Sequence, residues 1–235
     1  MKTLLLCLLA FPLGLSAQSI EKLKPLKSAS IAVKEPSDLC FAPDGSVMYV
    51  ASDDGALVEC RLDGTVLRTF AQGVVDAEAV YADDTFVYLV EERHRSIRVI
   101  DRQSWKEVRK VYIPYEGGRN KGYEALTRNA EGRFLLFTEK EPVWMLELNA
   151  DLEVINRFQW KLPADVSAAT WYNGTCYVLS DEAAEVWEVS LTEHQILKRF
   201  KLPLNNPEGI AFGPDGLLYV LSDDFQRMYT FKLPE

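Results

Sequence analysis

Short runs rich in Val, Leu, Tyr, Trp and Phe recur about every ten residues along this chain, each closed by a turn signal. Pro43-Asp44-Gly45, Leu62-Asp63-Gly64, Glu131-Gly132, Asn173-Gly174 and Pro214-Asp215-Gly216 supply residues that accept positive φ or hydrogen-bond their own backbone, as tight hairpins demand. Five triplets align within this pattern: Ser37-Asp38-Leu39, Ala77-Glu78-Ala79, Tyr123-Glu124-Ala125, Ser167-Ala168-Ala169 and Pro207-Glu208-Gly209, spaced 40, 46, 44 and 40 residues apart. Each is followed by a second strand that ends in an acid, at Asp53, Glu92, Glu139, Asp181 and Asp223. Two further strands complete the unit, such as Ala56–Arg61 with Thr65–Phe70, or Glu185–Ser190 with Gln195–Lys201. Four strands in each period of 40 to 46 residues define a propeller blade. The predicted fold is therefore all-β, a five-bladed β-propeller of four-stranded antiparallel blades.

The fifth unit runs out of chain before its outer strand, leaving only Leu233-Pro234-Glu235. Ser28–Val33, just ahead of the first inner strand, reads as the missing piece. An N-terminal strand that completes the last blade covers an edge that would otherwise template aggregation.

Ahead of it, Lys2, the apolar run 4–15 and the small polar Ser16-Ala17-Gln18 have the order of a secretory signal peptide. The run is short of the roughly 18 to 20 residues that span a bilayer, so membrane association is expected only if the segment stays uncleaved. The domain reading is a signal peptide over 1–17, a lead-in over 18–27 and one propeller over 28–235, in a protein exported to the periplasm or secreted. Loss of Lys2 takes the formal net charge from −9 to −10, which disfavours nucleic acid. Arg93-His94-Arg95 and Arg119-Asn120-Lys121 read as solvated loops. Cys40, Cys60 and Cys176 remain after the leader, an odd and sparse set that reads as free thiols. Cys40 and Cys60 fall on the first and third strands of one blade, too far apart for a bridge.

The start of a blade's first strand lies beside the end of its second. Asp38, Glu78, Glu124 and Glu208 are therefore expected to meet the strand-ending acids around one channel mouth. Crowded carboxylates raise one another's pKa unless a cation compensates. All-oxygen donors without His or Cys suit a hard ion, Ca²⁺ before Zn²⁺ or copper. The predicted metal ligands are Glu78, Glu124 and Glu208, assisted by Asp38 or Asp223. His94 and His194 fall in loops away from the channel, so no catalytic constellation is evident. Trp144 and Trp187 read as matching third-strand packing residues.

Asp76-Ala77-Glu78-Ala79-Val80, Asn120-Lys121-Gly122-Tyr123-Glu124-Ala125-Leu126, Leu179-Ser180-Asp181-Glu182 and Pro207-Glu208-Gly209-Ile210-Ala211, in that order, resemble the SdiA-regulated family over roughly Pro36 to Lys232. The resemblance implies a five-bladed propeller distantly similar to NHL-repeat proteins, a calcium site on the propeller, and for some members a place at the bacterial cell membrane. This chain departs from the family's Glu-Gly pair in having Glu-Ala in blades two and three and Ala168-Ala169 in blade four. The expected function is a calcium-binding module or scaffold for a protein, glycan or small-molecule ligand at the channel face. The alternative is a calcium-dependent hydrolase resembling lactonase propellers.

Overall fold

The alternating apolar pattern folds into twenty-one strands in a computed structural model that describes residues 19–115 and 121–234. The predicted signal peptide and most of the Arg119-Asn120-Lys121 group lie outside the described residues. Two strands precede the ring, β1 (Ile20–Lys22) and β2 (Lys27–Ser30). Blade one holds β3 (Pro36–Phe41), β4 (Met48–Ser52), β5 (Ala56–Cys60) and β6 (Val66–Phe70). Blade two holds β7 (Ala77–Ala82), β8 (Phe86–Glu91), β9 (Ser96–Asp101) and β10 (Lys106–Tyr112). Blade three holds β11 (Tyr123–Arg128), β12 (Phe134–Thr138), β13 (Val143–Leu148) and β14 (Val154–Trp160). Blade four holds β15 (Ala168–Tyr172), β16 (Thr175–Ser180), β17 (Glu185–Ser190) and β18 (Gln195–Lys201). Blade five holds β19 (Pro207–Phe212), β20 (Leu218–Ser222) and β21 (Arg227–Phe231).

Within every blade the strands pair antiparallel in sequence order, and the inner strands β3, β7, β11, β15 and β19 touch in a closed cycle. Five hydrophobic clusters fill the space between adjacent blades rather than the interior of any one of them. This arrangement makes the middle strands apolar on both faces: β4, β12 and β20 are buried at every position. The outer strands show the other extreme, with most of β10 and β14 exposed.

Blade five is completed as the sequence predicts. β2 pairs antiparallel with β21, from Lys27 opposite Thr230 to Ser30 opposite Arg227. The strand is shorter than the segment Ser28–Val33, but Ile31 and Val33 beyond it remain buried, each 3% exposed, in the cluster between blades five and one. The lead-in holds a strand that alternation alone did not reveal. β1 runs parallel to β18, Ile20 opposite Arg199, and covers the outer edge of blade four.

Cys60 and Cys176 are buried and Cys40 half-buried, all three as free thiols, with β4 between the strands that carry Cys40 and Cys60. Burial pushes the Cys176 thiol up to about 12. The two tryptophans do not match as expected. Trp187 faces Val178, the position that Leu146 takes opposite Leu136, and its indole nitrogen donates to Glu185 at 2.8 Å. Trp144 lies two residues earlier on its strand, half-buried, with the Arg157 guanidinium 5.8 Å from its ring.

Because Ile31 belongs to an inter-blade core, Ile31→Ala is expected to cost roughly 2 to 5 kcal/mol. Leu26→Ala, at a position 61% exposed in the same N-terminal segment, is expected to cost almost nothing. Thermal melts of the two variants check whether the closing segment is held by its core contacts.

Candidate functional site

Every inner strand starts at one mouth of the channel, and every second strand ends there. At that mouth the ladder is interrupted. Pairing jumps between Pro36 and Asp38, between Ala77 and Ala79, between Tyr123 and Ala125, and between Pro207 and Ile210. A bulge lifts a residue out of the ladder and re-aims its side chain. The residues so lifted include Ser37, Glu78, Glu124 and Glu208; Ser167, just before β15, holds the equivalent place in blade four.

The ring is thus three glutamates and two serines. Asp38 and Ala168, expected at the ring, stand one residue deeper, level with Ala79, Ala125 and Gly209. Blades one and four carry serine rather than glutamate at the ring, so no acid marks the position there and the two triplets align one residue out of step.

The strand-ending acids are fixed through their own backbone. The N–H groups of Asp53, Glu92, Glu139 and Asp223 donate to the carbonyls of Glu35, Asp76, Gly122 and Asn206 at 3.0, 2.9, 3.4 and 3.3 Å. Glu35, Asp76 and Asn206 adopt the left-handed conformation, with φ of 43°, 58° and 41°. Gly122 takes that place in blade three because a Cβ there would lie 2.6 Å from Glu92 Cγ; its N–H donates to Glu92 Oε1 at 2.8 Å. The connections into the inner strands add Asp76 and Asp165 to the mouth, two acids that the strand-based reading passed over. Asp76 was visible as the residue two before Glu78; Asp165 stands two before Ser167 and became meaningful only with the corrected register.

Two groups of three carboxylates result, Asp53 with Asp76 and Glu78, and Glu92 with Glu124 and Glu139. In each group one oxygen per residue lies within 4.8 Å of the others. Burial and the charges of Asp53, Asp76, Glu92 and Glu208 raise Glu78 to about 8. Burial, then Glu78, Glu92 and Glu139, push Glu124 well above the usual carboxylate range. On the opposite side, burial and Asp181 with Asp223 raise Glu208 to about 8. Asp165 rises to about 7 through burial and its neighbour Asp181, with partial relief from the Ser180 hydroxyl that donates to it.

Cations compensate only part of this charge. Arg93 Nε lies 3.1 Å from Asp76, and Lys140 Nζ lies 2.7 Å from Glu139 and 2.8 Å from Glu182. The all-carboxylate donor set fits a hard ion of flexible coordination such as Ca²⁺ better than one that prefers imidazole or thiolate.

Of the five predicted ligands, Glu78 and Glu124 belong to the two groups. Glu208 lies within electrostatic reach of Asp181 and of Asp223 in its own blade. Asp223, raised by burial and by Glu35, Asp224 and Asp53, lies between that side and blade one. Asp38 is separate: it is 1% exposed, its Oδ2 accepts from Val80 N–H at 3.0 Å, and its Oδ1 makes no full hydrogen bond. Burial drives its carboxyl well upward, with the backbone N–H groups of Val80, Leu39 and Ile210 opposing that rise. His94 and His194 are outside the mouth, His94 beside Glu91 and His194 against Phe158 and Trp160.

Solved structures share this architecture at low identity. A glutaminyl cyclase from Myxococcus xanthus matches with a TM-score of 0.73 and 14% identity, over 91% of this chain and 98% of that one. The β-propeller domain of Cps50 (Swd1) from Myceliophteria thermophila matches at 0.59 and 10%, over 90% and 100% of the two chains. Virginiamycin B lyase from Staphylococcus aureus matches at 0.52 and 14%, over 85% and 66%. These likenesses show the propeller fold. No curated protein matches the sequence. The model of the SdiA-regulated family matches residues 19–232, nearly all of the described ring, and the chain belongs to that family.

Proposed function

We propose that this protein is an extracytoplasmic calcium-binding propeller that acts as a binding or scaffold module, with the ion held at the carboxylate mouth. The observation that carries the reading is the pair of three-carboxylate groups built on Glu78 and Glu124, whose oxygens converge with too few cations to neutralise them. A bound Ca²⁺ would supply the missing charge and accept six to eight oxygens, including water and backbone carbonyls. The N-terminal order of Lys2, apolar run and small residues supports a place outside the cytoplasm. The ligand of such a module is a protein, glycan or small molecule.

A second reading, a calcium-dependent hydrolase, draws on a different observation. Asp165 at about 7 and Glu208 at about 8 are poised to exchange protons near neutrality, across the mouth from the two groups. Lactone hydrolysis by the calcium-loaded protein that Asp165→Asn or Glu208→Gln abolishes, with calcium binding retained, would favour the enzyme. Absence of turnover leaves the binding module.

Two measurements test the calcium reading. A thermal melt of chelator-treated protein should rise saturably with Ca²⁺ and far less with Mg²⁺, by about 2.7 kcal/mol at a hundred times the dissociation constant. The variant Glu78→Gln with Glu124→Gln should lose that rise, and in chelator should melt above the wild type because its repulsion is relieved. No calcium response from verified metal-free wild type would overturn the reading.

The pH dependence follows from the raised pKa values. Glu78, Glu208 and Asp165 bind protons more tightly folded than unfolded, so their contribution to stability is full below the unfolded values of about 4. That contribution is lost as pH rises through the folded values. The metal-free melting temperature is therefore expected to fall between about pH 5 and pH 8 and then level off. Calcium affinity should climb over the same range, because the ion competes with those protons. A metal-free profile that is flat or rises from pH 5 to 8 would contradict the arrangement.

A further inference from the structure

The opposite mouth of the channel has the reverse chemistry. A cavity of 360 Å³ opens there, between the C-terminal halves of the five inner strands and the turns that follow them. Its floor is formed by Leu39, Val80, Leu126, Ala169 and Ile210. Phe41, Tyr81, Trp171 and Phe212 stand around its wall, all half-buried, with the Thr127 and Thr170 hydroxyl-bearing side chains among them. In a chain of net charge −9, no carboxylate lines this cavity among the described residues, and Arg128 is its one charged lining residue.

Two features point to a ligand. Phe212 is stacked on Tyr172 at 4.0 Å, Phe41 meets Tyr219 edge-on and Tyr81 meets Phe134 edge-on, whereas Trp171 has no ring against it among the described residues. Trp171 packs against the cluster between blades three and four, and the part of its indole that lines the cavity offers a stacking surface to a planar molecule. The Arg128 guanidinium is held from behind, its Nε donating to Gly132 O at 2.9 Å. Its nearest acid, Asp83, lies 3.5 Å away and already accepts from Thr85 N–H, Phe86 N–H and the Tyr88 hydroxyl. Neutral donors do not cancel the Asp83 charge, so that pair stays balanced; what Arg128 offers the cavity is its remaining N–H donors, beside the Tyr81 hydroxyl and 5.0 Å from the Phe134 ring.

We infer that this far mouth is a second binding site, for a compact planar molecule that carries a carboxylate: the ring stacks on Trp171 and the anion meets Arg128. The volume is within the range of small-molecule pockets. The site is distinct from the proposed calcium mouth, because Asp38, Ala79, Ala125, Ala168 and Gly209 stand between its floor and the ring of the other mouth.

The probes are 2-naphthoate and its neutral isostere 2-naphthamide, titrated by fluorescence against the full mature protein in chelator, so that failure here is distinct from failure of the calcium reading. Saturable binding of naphthoate is expected, at least roughly tenfold tighter than naphthamide. Arg128→Gln should weaken naphthoate by roughly tenfold or more and leave naphthamide almost unchanged, while Trp171→Ala weakens both by roughly threefold to tenfold. Arg128→Lys, which keeps the charge, should retain most of the naphthoate affinity, and it serves with Trp171→Ala if the Gln variant fails to fold in a circular dichroism melt. No saturable binding up to about 1 mM overturns the site. Equal affinity for the two probes, or affinity that folded Trp171→Ala and Arg128 variants leave unchanged, overturns it as well.

Discussion

Five strands packed around one axis leave little space at their centre, and the residues at the waist of this channel answer to that limit. Level with Asp38 stand Ala79, Ala125, Ala168 and Gly209, each small. The last inner strand approaches the first closely, where a Cβ on Gly209 would lie 2.7 Å from the Asp38 Cα. That approach closes the ring. Asp38 fills the room the small residues leave, and its carboxylate lies among backbone N–H groups of its own strand, β7 and β19. An acid in this environment is costly, and the Val80 N–H bond with the nearby Leu39 and Ile210 amides offsets only part of that cost, so burial still drives its carboxyl well upward. Ring closure and the burial of Asp38 are two sides of one constraint.

The same geometry explains why the two mouths differ so sharply. Side chains at the starts of inner strands are lifted by bulges toward the axis, so any acid placed there is forced near the others. Polar backbone partners are already spent on the strand-ending acids, whose N–H groups are tied to the carbonyls before each inner strand. What remains for Glu78, Glu124 and Glu208 is mutual repulsion in a half-buried place, expressed as raised pKa values. A protein pressed only for stability would not concentrate charge in this way, since like charges at a poorly solvated site oppose folding. The cation proposed for this mouth would relieve that repulsion.

Much of this was legible in the sequence. The four-strand period, the number of blades, the completion of blade five from the N-terminus and the crowding of acids at one mouth all follow from turn residues and alternation, which act locally. Three things did not. β1 is a three-residue strand whose pairing with β18 depends on a neighbour about 180 residues away, and nothing local marks it. Asp38 stands one residue below the ring and Ser167 holds the place read as Ala168, because blades one and four carry serine where the others carry glutamate, and a spacing read from sequence cannot tell a paired residue from an unpaired one. Asp76 and Asp165 were missed since they belong to connections, where acids are ordinarily solvated turn formers; only the left-handed turn at Asp76 and the hydroxyl contact at Asp165 give them a fixed place.

The low-identity likeness to a glutaminyl cyclase and to a lyase says that this ring of blades supports more than one chemistry elsewhere. It does not carry those chemistries here, because the fold supplies only positions, and each chain decides what stands at them. In this chain the positions on one side hold carboxylates, and those on the other hold aromatic rings and one guanidinium. The apolar floor of Leu39, Val80, Leu126, Ala169 and Ile210, together with the filled waist below it, stands between them. That packing screens charge less than water would, so each mouth feels the charge of the other. What it prevents is contact: a ligand at either mouth would touch the side chains of that mouth alone, and the carboxylates beyond the waist would bear on a distant anion through the field only.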